Sequence, residues 1–117
     1  MLNVILLATE DSVLRETRKL LLHQFGFEVK APIGKKQALE LIAAETFGVL
    51  ILGNTLPAKT RVEIASAFRQ TQPGARIIEI LASPGEPPTT DPDAVVVGLD
   101  GPLALRTTIE AQLKQGK

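Results

Sequence analysis

The sequence predicts an α/β domain built on a doubly wound parallel sheet of five strands. Short apolar runs alternate with segments of helical apolar spacing almost throughout, in the order β-α-β-α-β-α-β-loop-β-α. Several of these runs are nearly continuous in Val, Ile and Leu, as in strands covered on both faces. The third run, within Phe47 to Pro57, breaks at Gly53-Asn54-Thr55-Leu56-Pro57. An open parallel sheet places its ligand or catalytic groups at such a break, beyond the carboxyl ends of its strands. For five strands the usual order is 2-1-3-4-5, with a switch point between strands one and three that brings Thr9, Glu10 and Asp11 beside Gly53 and Asn54.

Asn3 to Ala8 forms the first strand. Asp11 or Ser12 then caps a helix by accepting a free backbone N–H. Val13, Leu14, Thr17, Leu20, Leu21 and Phe25 fall at helical spacing, with Arg15, Glu16, Arg18 and Lys19 facing out and Gly26 ending the helix. Phe27 to Ala31 alternates and is short, as an edge strand is. After a turn at Pro32-Ile33-Gly34, Lys35 to Glu45 is the second helix, with Ala38, Leu41 and Ile42 inward. Lys35 and Lys36 stand at the unfavourable end of its dipole and are read as solvated.

Beyond the third strand, Thr60 is placed as the cap of a helix carrying Val62, Ile64, Ala65 and Phe68, stopped by Gln72-Pro73-Gly74. Arg76 to Leu81 is the fourth strand, with Glu79 as a charge in its middle. Ser83 to Asp93 holds four prolines in eleven residues. An interior proline costs a helix about 3 kcal/mol, so this segment is a loop. Ala94 to Gly98 is the fifth strand and Leu103 to Gln115 the last helix, with Leu105, Ile109 and Leu113 on one face.

At 117 residues the chain is one domain, residues 1–117, long enough for a single core. Its formal net charge is zero, so no long-range field draws nucleic acid or an acidic membrane. Phe is the only aromatic, which leaves no stacking platform for single-stranded nucleic acid. The absence of cysteine removes disulfides, thiol nucleophiles and thiolate metal sites, and is compatible with a cytoplasmic location. The N-terminal apolar run is too short to span a membrane and lacks the basic flank of a signal peptide.

The acidic run Thr9-Glu10-Asp11-Ser12-Val13-Leu14-Arg15, then Gly26-Phe27-Glu28-Val29, Ala38-Leu39, Leu56-Pro57 and Pro102, follow one another in an order and spacing that resemble the receiver domain of two-component response regulators. The resemblance covers nearly the whole chain and implies the flavodoxin-like fold. It also implies a phosphoacceptor aspartate four residues before Pro57, where this chain has Gly53. The family's Thr or Ser at the end of strand four corresponds to Leu81, and its Lys before the last Pro to Gly101. Its first acidic residue corresponds to Thr9, its strand-five aromatic to Gly98, and its fourth helix to the Pro-rich loop.

Phosphoryl transfer to a carboxylate needs the nucleophile, a Mg²⁺ ion and groups for the remaining charge. The resemblance is therefore to a degenerate, pseudo-receiver variant with no catalytic residue and no required cofactor. Glu10 and Asp11 are left as weak Mg²⁺ candidates, and capping with favourable helix-end charge explains them without a metal. Asn54 and Asp100 are read as turn residues, and the single histidine, His23, as a surface side chain.

Without a fourth helix, Val95, Val96 and Val97 with Glu79 near solvent form the candidate interaction surface, covered either by the Pro-rich loop or by a partner. The expected function is protein–protein regulation without aspartyl phosphorylation. The partner would be a histidine kinase, another response regulator or a second copy of the chain. A receiver retaining weak cation binding at Glu10 and a small flavodoxin-like cofactor binder or enzyme are the alternatives. No phosphate-cradling Gly loop follows strand one to support the last of these.

Overall fold

The structure, a computed structural model, describes residues 4–115; Asn3, placed in the first strand by its sequence, lies outside them. Strands β1 (Val4–Ala8), β2 (Glu28–Lys30), β3 (Val49–Leu52), β4 (Arg76–Leu81) and β5 (Ala94–Val97) alternate with helices α1 (Ser12–Gln24), α2 (Gly34–Ala44), α3 (Ala58–Thr71) and α4 (Pro102–Gln115). The five strands form one parallel sheet in the order β2-β1-β3-β4-β5, as the sequence predicts. Between β4 and β5 the Pro-rich segment forms no helix. A single 3-10 turn, Gly98–Asp100, connects β5 to α4.

The side-chain alternation of each strand divides the core into two layers. Ile5, Leu7, Val49, Ile51, Ile78 and Ile80 meet Leu22 of α1 and Leu105, Ile109 and Leu113 of α4. Leu6, Ala8, Leu50, Leu52 and Ile77 meet Ala38 and Ile42 of α2 and Ile64, Ala65 and Phe68 of α3. All four residues of β3 are fully buried, which is why that run reads as continuous rather than alternating. Its register against β1 sets Leu52 beside Ala8, so the two strands end together.

Of the two cap candidates, Asp11 caps α1, its Oδ1 accepting from Leu14 N at 3.0 Å. Asp11→Ala is expected to lower stability by about 1 kcal/mol, read by chemical denaturation. Gly26 ends the helix region at a φ of +97°, a conformation open to glycine without strain.

Three helix readings change. In α1 the inward stripe is shifted: Val13 and Leu20 are exposed, whereas Leu22 and Arg15 are buried and Arg18 is half-buried. Leu14, Leu21 and Phe25 of the expected stripe are half-buried, and packing against α4 and the sheet turns Leu22 further in than Val13 or Leu20. Thr60 does not cap α3; it lies in the first turn behind Pro57, and no side chain caps that end. On the same helix Val62 is exposed and Arg61 is buried.

Candidate functional site

At the switch point, β1 and β3 deliver Ala8 and Leu52 side by side, and the chain turns away from each. Gly53 N donates to Ala8 O at 2.7 Å, and Leu56 N donates to Gly53 O at 3.3 Å, closing a turn over Asn54 and Thr55. This turn directs the Thr55 hydroxyl back across to the other loop. Its Oγ1 lies 2.8 Å from Thr9 Oγ1 and accepts from the backbone N–H of Glu10 and of Asp11, each at 3.1 Å.

The space beside Gly53 is filled. A Cβ placed on Gly53 would lie 2.5 Å from Thr9 Oγ1 and 2.7 Å from Thr9 Cβ. Thr9 is itself buried and β-branched, so neither atom swings aside freely. Gly53 and Thr9 are thus complementary: one lacks a side chain where the other has placed its own. The switch point between strands one and three is closed by hydroxyl–hydroxyl and hydroxyl–amide bonds within the protein.

These donors do not suit Mg²⁺, which takes octahedral oxygen ligands with one or two carboxylates. The Thr9 and Thr55 hydroxyls are paired with each other, and Asp11 Oδ1 is committed to the α1 cap. Glu10 is exposed at the rim. Among the described residues, no three Asp, Glu, His or Cys side chains converge on a point that could hold a metal.

The other positions singled out in the sequence lie where the topology places them but do not assemble a reactive group. Leu81 is buried at the end of β4 and carries no hydroxyl. Gly101 adopts a φ of +88° at the close of the 3-10 turn, where a glycine relieves the strain a lysine would bear. Asn54 sits in the β3 turn with its Oδ1 buried and unpaired, while Asp100 is exposed in the 3-10 turn and His23 on the outside of α1. Lys35 is solvated and reaches Glu63 at 3.3 Å.

Glu79 is a correction. The sequence places it near solvent as part of an interaction surface; in the structure it has no exposed area. Its carboxylate faces α3 and the Pro-rich loop, where Arg61 Nη1 donates to Oε2 at 3.0 Å. The loop supplies the remaining donors. Thr89 N reaches both carboxylate oxygens at 3.0–3.1 Å, and Thr90 N reaches Oε1 at 3.1 Å. The two threonine hydroxyls donate at 2.9 and 2.8 Å.

Burial pushes this carboxyl up, but the bonds from Thr90 and Thr89 outweigh it and hold the group below its ordinary value. A buried carboxylate is tolerated because charge-assisted donors replace its water. The same loop is tied down by Arg69 Nη2 donating to Asp91 O at 2.6 Å, and by Asp93 Oδ2 accepting from Ile77 N at 2.7 Å.

The β5 edge changes accordingly. Val96 is buried in the α1/α4 layer, Val97 is half-buried, and only Val95 is substantially exposed. The loop lies over Glu79 rather than over the whole strand. Sequence reasoning missed Arg61, Thr55 and the Thr89-Thr90 pair; the signal available was Glu79 itself, a charge that demands donors wherever it is buried.

No protein-family model and no curated protein matches the sequence. Solved structures do match in fold. A CheY-like response regulator receiver domain protein from Methanospirillum hungatei superposes with a TM-score of 0.83 at 21% identity, covering 99% of this chain and 97% of the other. A response regulator protein from Thermotoga maritima, solved in complex with the histidine kinase ThkA, gives 0.81 at 23%, covering 97% and 99%. A structure described as adenylate cyclase from Rhodopirellula baltica gives 0.81 at 20%, covering 99% and 90%. The architecture is therefore the CheY-like, flavodoxin-type fold.

Proposed function

We propose that this chain is a pseudo-receiver: a non-catalytic receiver-like module that regulates through protein–protein contact without aspartyl phosphorylation. The observation that carries this reading is the Gly53–Thr9 complementarity. The position corresponding to the phosphoacceptor lacks a carboxylate, and the volume a side chain would need there is occupied by Thr9. Leu81 and Gly101 remove the hydroxyl and the cation that the receiver resemblance implies at the same site. The Pro-rich segment, pinned through Glu79, replaces the helix that would carry a phosphorylation signal.

The likeness to a response regulator solved with a histidine kinase supports a regulatory protein as partner. Large apolar side chains stand in water on this molecule: Val13 and Leu20 on α1, Leu99 and Leu103 around the start of α4, and Val95 on the edge strand. Such side chains are the natural contacts for a kinase, another regulator or a second copy. Among the described residues no helix is long and apolar enough to cross a membrane. A cytoplasmic regulatory role accords with that and with the cysteine-free sequence.

The test is an amide NMR titration with Mg²⁺ and beryllofluoride, a phosphoryl mimic. Such a complex has been solved for the Thermotoga maritima regulator. The expected result is no saturable shift at Glu10, Gly53 or Leu81. Shifts clustered on those three residues would overturn the proposal in favour of a receiver that retains cation binding.

A further inference from the structure

A cleft of about 170 Å³ opens between α1 and the start of α4, floored by β4 and β5. Leu14, Leu22, Ile80, Val96 and Leu105 make its walls apolar, and Gly98 adds no side chain to fill it. One group breaks this pattern. Arg18 lines the cleft, and its Nη1 is cut off from solvent without a hydrogen-bond partner. Its Nη2 lies 3.8 Å from where a Cβ on Gly98 would stand.

A buried donor left unpaired is unfavourable, more so when charged, and a guanidinium does not escape by losing its proton. Burial lowers the Arg18 pKa, while the charge of Asp11 acts against that shift. At another part of the cleft lining, Phe25 carries the Arg106 guanidinium 5.0 Å over its ring centroid. The cleft thus joins an apolar body to a guanidinium that lacks a hydrogen-bond partner at Nη1.

We propose that this cleft binds a small apolar monocarboxylate, an aromatic or branched aliphatic acid whose carboxylate pairs with Arg18. The volume suits one ring: an apolar cavity of about 150 Å³ is enough to take up benzene. A planar carboxylate matches the guanidinium fork and brings a counter-charge to Arg18 on the cleft side. The apolar walls disfavour a strongly hydrated inorganic dianion, which would lose its water without replacement donors. This site is separate from the Thr9–Thr55 closure and independent of whether that closure abolishes phosphorylation.

Amide NMR titration with benzoate and phenylacetate, against benzyl alcohol and inorganic phosphate, tests the proposal. Saturable shifts are expected at Leu14, Arg18, Val96, Gly98 and Leu105 with the acids. Benzyl alcohol should bind weaker by roughly tenfold or more, because it offers no charge to Arg18. Arg18→Met should erase the preference for acid over alcohol while leaving the protein folded, since it removes an unsatisfied buried group. Gly98→Leu retains Arg18 but adds bulk between it and Ile80, where a Cβ makes ordinary contacts of 3.6–3.8 Å, and should block the acids. Equal affinity for acid and alcohol, unchanged acid binding in either variant, binding of phosphate alone, or no saturable shift with either acid would each overturn the proposal.

Discussion

Glu79→Leu is expected to destabilise the domain by about 3–5 kcal/mol, the range for removing one partner of a buried ion pair. The substitution leaves Arg61, itself buried, facing apolar surface with its Nε already unpaired. It also orphans the N–H and hydroxyl groups of Thr89 and Thr90. The double variant Arg61→Met, Glu79→Leu should recover part of that loss, since it removes the uncompensated charge, but not all of it, because the loop donors remain unanswered. Urea unfolding of the wild type, the single variant and the double variant separates these contributions. A double variant no better than the single would show that the loop bonds, and not the ion pair, dominate.

A pH dependence follows from the same carboxylate. Its folded-state pKa lies below the ordinary 4.5, so on acidification the unfolded chain takes up the proton first. The stability contributed by Glu79 is complete above that value and is lost as pH falls through the depressed folded value. Glu79→Gln removes this titration. The stability gap between wild type and Glu79→Gln should therefore be constant at neutral pH and shrink below about pH 4.5, a trend read by denaturant unfolding at stepped pH. A gap that widens on acidification would contradict the assignment.

Gly53→Ala should cost about 1–3 kcal/mol although it adds one methyl group, because that methyl enters the volume held by Thr9. Thr9→Gly alone should also destabilise, by loss of the Thr55 contact and added chain entropy. Combined, the two changes should cost less than their sum, with a coupling of about 0.5–3 kcal/mol of the sign that marks relieved overlap. Additive losses would mean that the two residues do not share one volume. By the same geometry, Gly53→Asp by itself should give an unstable protein without a beryllofluoride response, since the carboxylate cannot settle while Thr9 stands in place.

The sheet order was legible because apolar runs covered on both faces announce parallel strands, and turn residues after each run mark where they end. β3 shows this best: its four consecutive apolar residues, flanked by turn residues, are all buried. The Asp11 cap was legible for a similar reason, since a short side chain before a helix satisfies an N–H three residues ahead. The face of α1 was less so. Val13 and Leu20 have the same spacing as residues that pack inward, and periodicity does not reveal which of them meet α4.

The receiver resemblance marked Gly53, Leu81 and Gly101 as the positions where that family's reactive groups would stand. Why the missing group at Gly53 cannot simply be replaced was not visible there, because Thr9 is more than forty positions away. Glu79 marks the limit most clearly. Its charge and strand position were plain in the chain. Whether its carboxylate met water or donors depended on where a twelve-residue loop, Ala82 to Asp93, came to rest. Local residue pattern dictates strands, caps and breaks because those depend on neighbours a few positions apart. The Thr9–Gly53 fit, the Arg61–Glu79–Thr90 network and the cleft lined by Arg18 arise from contacts between distant segments, which exist only once the sheet has brought those segments together.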